Sequence, residues 1–233
     1  VDVYYSTALD LGAGPKPTTV VTNANGTTTL TWTIGTVAAG AGPTTIEYTA
    51  RPSLLFLGGE TLTNSATLAF QNANGCVFTS LTVSASTVIT VVDPTRNPLG
   101  MGFWRNRESE WTAEILARIQ ATDQRFDGAD GTAPNGVLSS AEVTALLAPG
   151  GNMGKILEAQ LLATYLNLAT RRINASTGIG SKLTHTLGLN NIRDAVLYAR
   201  GTLALAVIAD NRPRYDDATA ILDQINNNRI EDY

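Results

Sequence analysis

The sequence predicts an α+β protein of two domains, an N-terminal antiparallel β-sandwich followed by an all-α domain. Two observations predict it. Up to residue 93 the chain is threonine-rich, nearly uncharged and alternates apolar and polar residues with period two. From Trp111 onward it is charged, rich in alanine and leucine, and repeats apolar residues at helical spacing. We therefore predict a β-sandwich over residues 1–93, a linker over 94–102 and a helical domain over 103–233.

The predicted strands are separated by short turn signals. Asn25-Gly26 and Asn74-Gly75 favour tight turns, because both residue types tolerate positive φ. Pro94 and Pro98 stop the last strand, because proline has no N–H to donate to a sheet. The alternating segments predicted as strands are 1–5, 27–34, 44–50, 62–70 and 81–89.

Three of these segments carry a resemblance. Leu30–Gly40, Ile46–Ala50 and Leu62–Leu68 resemble the conserved Ig-like repeat modules of bacterial cell-surface proteins. The resemblance implies an Ig-like sandwich that serves as a stalk, spacer or wall-associated building block and not as a catalyst. Modules of that family begin with a further pair of strands, which would precede Val1 and is missing here.

Three explanations for the missing strands stay open. The sequence is a fragment of a longer protein, or the module is a shorter variant, or a neighbouring subunit donates the strand that completes the sandwich. An open sheet edge invites such strand addition. Donor-strand completion would make the protein a self-polymerising subunit. We expect self-association into a homopolymer, for which strand donation is one route.

The second half predicts several helices. Trp111, Ile115 and Ile119 lie at helical spacing, and the same pattern recurs around Val143 and Leu147. The longer predicted helices cover 153–172, 192–208 and 215–227, and Pro213 suits the first turn of the last one.

A second resemblance spans most of residues 100–228. Gly102–Asn106 reads Gly-Phe-Trp-Arg-Asn, Gln160–Asn167 reads Gln-Leu-Leu-Ala-Thr-Tyr-Leu-Asn, and Ile221–Asn227 ends in Asn-Asn. These segments resemble the GFW(K/R)N-type helical module of secreted bacterial surface proteins. Arg107 stands where the family has a histidine, which leaves any role of that imidazole in question. No enzymatic activity comes with this resemblance.

The segment between the first helices predicts a metal site. Asn135, Gly136 and Glu142 match the second half of an EF-hand loop, as an oxygen ligand, the sharp turn and the bidentate closing ligand. The first half fits only if the loop is expanded to begin at Asp127. Hard oxygen ligands favour Ca²⁺ over softer metals, and the ion would tie two helices together. The predicted ligands are Asp127, Asp130, Asn135, Val137 through its carbonyl, and Glu142.

A purely structural interpretation of this loop is equally open. Ser139 would cap the following helix and Glu142 would complete a capping box with it. Asp127 and Asp130 would then be solvated turn residues.

Composition excludes several function classes. The net charge is −4 and only 15% of residues are charged, so no electrostatic footprint for nucleic acid exists. No run of 18 apolar residues is present, so no membrane span is predicted. The single cysteine, Cys76, is predicted to be a buried small hydrophobe, with an external partner thiol as the alternative. His185 is the only histidine, and no known catalytic motif accompanies it, which predicts that the protein is not an enzyme.

The favoured function is therefore a non-catalytic, extracellular or cell-surface bacterial protein, a subunit of a filament, sheath or layer. It would assemble through β-edge contacts and be stiffened by Ca²⁺. A cell-surface adhesin that binds glycan is the alternative, and an enzyme accessory or hydrolase domain is a third hypothesis. The three tryptophans, which would have to stack on sugars, are predicted to pack in the core instead: Trp32, Trp104 and Trp111.

Overall fold

The computed structural model describes residues 3–4, 14–22, 28–94 and 96–229. Over these residues the chain forms seven α-helices and three separate two-stranded antiparallel sheets. The strands are β1 Val3–Tyr4, β2 Thr19–Thr22, β3 Thr28–Thr31, β4 Arg51–Pro52, β5 Thr61–Leu68 and β6 Leu81–Val88. The helices are α1 Met101–Trp104, α2 Ala113–Thr122, α3 Ser140–Leu146, α4 Met153–Ala169, α5 Lys182–Thr186, α6 Ile192–Leu203 and α7 Arg212–Asn226.

Helix α4 is the centre of the molecule. From Leu157 to Ala169 nearly all of its side chains are buried, and it contacts α1, α2, α3, α6 and α7. A helix that is apolar on all sides must be surrounded by other elements, which is the position that α4 occupies. The helix begins where the sequence predicted, whereas α6 ends earlier and α7 begins earlier than expected.

The predicted β-sandwich is wrong. The strands pair as β1 with β4, β2 with β3 and β5 with β6, and no two of these sheets form one larger sheet in the described residues. Segment 44–50 contains no strand. The physical reason is a shortage of apolar area: the alternating positions are mostly threonine, serine, asparagine and alanine, and β6 is exposed along its whole length. A sandwich needs two inner faces that cover each other.

The large apolar residues that the first half does bury pack elsewhere. Leu54 and Leu55 belong to the same core cluster as Trp104, Ile119 and the other helical residues. Nearby, Arg51 forms an ion pair with the α2 residue Glu114. The predicted strand region therefore contributes its main apolar segment to the helical core.

No helix in the described parts of the chain combines the length and the apolarity that crossing a membrane requires.

Candidate functional site

The motif residues of the helical half meet in a buried network of amides. Asn167 Oδ1 accepts from Leu99 N at 2.8 Å and from Trp104 Nε1 at 3.2 Å. Its Nδ2 donates to Leu99 O at 2.9 Å and to Asn226 Oδ1 at 3.0 Å. Asn226 Nδ2 in turn donates to the backbone oxygen and to Oε1 of Gln160. The network joins the segment before α1 to α4 and α7, and its role is structural.

Gly100 shows how closely these elements approach. A Cβ on Gly100 would lie 2.6 Å from Asn227 Oδ1, so no larger residue fits without a shift. Trp104 and Trp111 are buried, as predicted, at 0% and 5% exposure. Trp32 is partly exposed, and its Nε1 donates to Pro15 O at 2.8 Å.

The predicted metal loop is closed by its own carboxylates. Asp127 accepts from Asn135 N at 2.9 Å, from Gly136 N at 2.6 Å and from Gln120 Nε2 at 3.2 Å. Glu142, which is 1% exposed, accepts from Ser139 N at 2.6 Å, from Ser139 Oγ at 2.8 Å and from Gly128 N. Ser139 and Glu142 thus form the capping box of α3 that the structural interpretation predicted.

The structure brings together only part of the predicted ligand set. Asp127 and Glu142 meet at the start of the loop, because Glu142 binds the amide that follows Asp127. Asp130 Oδ1 instead accepts from Thr132 N at 3.0 Å and from Thr132 Oγ1 at 2.7 Å, and these bonds hold the pKa of the Asp130 carboxyl below its ordinary value.

The other two predicted ligands lie along the loop. Asn135 Oδ1 accepts from Val137 N at 2.9 Å, and Val137 is exposed. Groups of three or more acidic, histidine or cysteine side chains suited to a metal do not occur in the described residues.

Two features of this loop nevertheless suit a cation. No lysine or arginine of the described residues forms an ion pair with Asp127 or Glu142. Gln120 is 7% exposed, and its Oε1 has no hydrogen-bond partner although its Nε2 binds Asp127. Two carboxylates and one amide oxygen are hard donors of the kind that Ca²⁺ takes. The remaining ligands would have to come from loop oxygens that now accept hydrogen bonds from neighbouring residues.

The most unusual surface is the hairpin formed by β5 and β6. From Thr61 to Val92 the chain contains no Asp, Glu, Lys, Arg or Pro. One face of the hairpin is a ladder of hydroxyl pairs, with oxygen–oxygen distances of 2.8 to 3.1 Å. The pairs are Thr63 with Ser86, Ser65 with Ser84, and Thr67 with Thr82.

The opposite face of the hairpin is apolar and open. The facing pairs there include Ala66 with Val83 and Leu68 with Leu81. Leu68, Leu81 and Val83 are 50%, 61% and 70% exposed. Two-stranded hairpins are at best marginally stable by themselves in water, so a hairpin that buries neither face gains little stability from its own contacts.

The tip of the hairpin is a compact turn with an exposed aromatic pair. Asn72 Oδ1 accepts from Asn74 N at 3.0 Å and from Cys76 N at 2.9 Å, and Phe70 stacks on Phe78 with ring centroids 5.2 Å apart. Cys76 is a free, exposed thiol. The expectation of a buried cysteine is therefore wrong, because the segment around it has no core to enter.

The base of the hairpin is fixed to the helical part. Gly58 N donates to Ser176 Oγ at 2.8 Å, and Arg193 of α6 pairs with Glu60 at 2.6 Å. Glu60 also accepts from Leu57 N at 2.9 Å. The hairpin is thus an uncharged projection with a charged and hydrogen-bonded attachment.

In comparisons with known proteins, the chain matches no protein-family model, no curated protein sequence and no solved structure.

Sequence reasoning located the strands of this hairpin but missed how exposed they are. The signal available was the complete absence of charge from Thr61 to Val92. It also missed that Asp123, which is 4% exposed, is neutralised by both Arg125 at 2.9 Å and Arg200 at 3.3 Å. Burial of Tyr165, with Asp123 beside it, raises the pKa of its hydroxyl.

Proposed function

We propose that this chain is a non-catalytic structural protein of the bacterial cell surface or extracellular space, a subunit of a filament, sheath or layer. The observation that carries the proposal is the β5–β6 hairpin, which is uncharged along both strands and exposed at every strand residue except the partly buried Leu62. Exposed edge strands are templates for pairing with another chain unless charges, proline or a covering element block them. The strands of this hairpin carry neither charge nor proline.

A second argument is energetic. Apolar area that is exposed to water is unfavourable, and a large exposed apolar face marks a surface that another molecule covers. Burial of apolar area stabilises a complex by roughly 25 cal/mol per Å². The exposed Leu68, Leu81 and Val83 offer such area on one face. A partner that covers them would also order a hairpin that is weakly stabilised on its own.

The hairpin also suits a polymer. It has one outer edge on β5 and another on β6, and neither pairs with a further strand in the described residues. A subunit with two separate edges can contact two neighbours, which is the requirement for a chain of subunits. Strand donation that completes a sandwich is not part of the proposal, because the described residues form no sandwich.

The glycan-binding alternative draws less support. Of the three tryptophans, Trp104 and Trp111 are buried and their rings are unavailable for stacking on a sugar. Trp32 is partly exposed and lies 5.4 Å from the ring of Tyr48, centroid to centroid. That pair is the place where a sugar would have to bind.

Calcium is the second part of the proposal. Asp127 and Glu142, with Gln120 Oε1 as a further donor, would form the core of a site that stiffens the connection between α2 and α3. The loop is already closed by hydrogen bonds, so the ion would stabilise an existing connection and not create one.

The experiment that tests self-association is electron microscopy of the purified protein together with sedimentation velocity over a range of concentrations. We expect regular fibres or sheets, and a sedimentation coefficient that rises with concentration. A protein that stays monomeric at every concentration, with and without Ca²⁺, would contradict the proposal.

A further inference from the structure

We propose that the contact between subunits is formed by two β6 strands, paired edge to edge and antiparallel about a two-fold axis. The inference rests on the proposed self-association and names its contact. The occupant of the β6 edge is thus the same edge of a second copy of this chain, and the result is one four-stranded sheet, β5-β6-β6-β5. A two-fold contact of this kind closes on itself and gives a dimer. The outer β5 edges of that dimer remain for the further contacts that a polymer needs.

The first step is to establish which backbone groups face outward. At the base of the hairpin Ile89 N donates to Glu60 O at 2.8 Å, which is one of the two bonds of a hydrogen-bonded pair, and Ile89 O accepts from Gly59 N at 3.0 Å. In an antiparallel ladder bonded and non-bonded pairs alternate. Counting from the base, Ser65 and Ser84 are a pair without backbone hydrogen bonds to each other. Side chains lie closer together in such pairs, and the two hydroxyl oxygens are 2.8 Å apart. Ser84 and its second neighbours, Thr82 and Ser86, therefore direct their N–H and C=O groups away from β5.

The second step is to choose between the two edges. Strand β5 has a neighbour on its apolar side, since Tyr48 donates its hydroxyl hydrogen to Asn64 Oδ1 at 2.9 Å, and Leu62 is partly buried. Strand β6 is exposed at every residue, and its side-chain hydrogen bonds in the described residues go only to β5. The β6 edge is the more accessible one.

The third step is the identity of the partner. Two β6 edges related by a two-fold axis perpendicular to the sheet place the same faces on the same side. With the axis between the two Ala85 residues, Ser84 would face Ser86 of the second copy, so hydroxyls would meet hydroxyls. On the other face Ala85 would face Ala85, and Val83 would face Thr87. The chain has a net charge of −4, yet none of it lies on this strand, so two copies meet there without repulsion between like charges at the contact.

A pair of proline variants tests the choice of edge. Ser84→Pro removes an outward N–H from β6, and Ser65→Pro removes the corresponding N–H from β5, its cross-strand partner. The two-fold axis means that S84P removes one hydrogen bond from each copy, two in all. We therefore expect S84P to weaken association at least about tenfold relative to the wild type. S65P should change the β6 contact by much less. The measurement is sedimentation equilibrium, with circular dichroism to verify that the helical content of both variants is unchanged.

Cysteine cross-linking gives a second measurement that does not disturb the strand. In a Cys76→Ser background, Ala85→Cys places a single thiol near the two-fold axis, within the Cα separation of about 4.4–6.8 Å that a disulfide spans. Ala66→Cys is the matched control, a small residue on the same face of the other strand. We expect oxidation to yield a covalent dimer from the Ala85→Cys protein and little from the Ala66→Cys protein.

The outcomes separate this inference from the proposed function. Dimer formation that S65P weakens as much as S84P, or cross-linking that is equal for the two cysteine positions, would overturn the β6 contact. Association that neither proline variant affects would do the same and leave a subunit protein that assembles elsewhere. A wild-type protein that is monomeric throughout would overturn the proposed function and this inference with it.

Discussion

Single residues decide the stability of the helical part through buried hydrogen bonds. Asn167 is fully buried in the middle of α4 and uses both of its donors and both acceptor sites of its oxygen. A buried polar group of this kind stabilises only while every bond is made. The buried polar side chains of α4 thus connect it to other elements through hydrogen bonds. Gln160 and Thr164, on the same helix, both bond to Asn226 of α7.

Replacing Asn167 tests the importance of this network. Asn167→Ala removes the partner of the partly buried N–H and C=O of Leu99 and of the buried indole N–H of Trp104. Since each unsatisfied group costs about 1–3 kcal/mol, we expect a loss of roughly 3 kcal/mol or more in the free energy of unfolding. Chemical denaturation measures it. The control is Asn106→Ala, an exposed asparagine whose Nδ2 donates to Gly102 O, for which we expect a change within about 0.5 kcal/mol. Equal effects of the two changes would contradict the role of the network.

At the scale of elements, the attachment of the hairpin depends on one carboxylate. Burial alone would raise the pKa of the Glu60 carboxyl, but the Leu57 N–H and the Arg193 guanidinium outweigh it and hold the pKa below its ordinary value. A carboxyl group whose pKa is lowered by folding stabilises the folded state above its unfolded pKa. That contribution is lost as the pH falls through the lower, folded value.

We therefore expect acid to loosen the base of the hairpin. The difference in stability between the wild type and Glu60→Gln should be largest near neutral pH, at up to about 1 kcal/mol for a partly exposed pair. It should begin to fall below the ordinary pKa of glutamate, about 4.3, and vanish once the pH lies below the lower, folded pKa. Thermal unfolding over a pH series, with hydrogen exchange of the amides of Leu57 and Gly58, measures it. Glu108→Gln, at an exposed position without an ion pair in the described residues, is the control. A difference that does not change with pH would contradict this account.

The elements also show what the sequence can and cannot predict. Helices α4 and α6 begin where the apolar periodicity placed them, because the spacing that identifies such a helix is the spacing that buries it. Strands β5 and β6 were located for the same reason, but the sandwich was wrong. Period-two alternation of threonine and serine with alanine and valine predicts pairing of strands and does not reveal whether anything covers them.

The metal loop shows a different limit of sequence reasoning. Ser139 and Glu142 form the capping box that the structural interpretation predicted. The spacing of acidic residues did not reveal that Asp130 would turn back to bind Thr132 while Asp127 binds across the loop to Gly136. Three positive-φ glycines, Gly128, Gly131 and Gly136, set that path of the backbone.

In the whole molecule the two proposed sites are separate, which makes their effects independent. The loop contacts α2 and α3 through Gln120 and Glu142, whereas the hairpin is attached through Ser176 and Arg193. A ligand stabilises a protein only in proportion to its preference for the folded state. Calcium bound at the loop should therefore raise the stability of the helical part and leave association through β6 unchanged.

Calorimetry and sedimentation in Ca²⁺ and in EGTA test this independence. For an ion at 100 times its dissociation constant, the gain is about 2.7 kcal/mol, equivalent to a rise in Tm of several degrees for a chain of this size. Asp127→Asn should abolish that rise. Asp130→Asn should leave most of it, because the Asp130 carboxylate binds only Thr132 in the described residues. A rise in Tm that survives Asp127→Asn would place the ion elsewhere. A Ca²⁺-dependent change in association would mean that the loop and the hairpin are coupled.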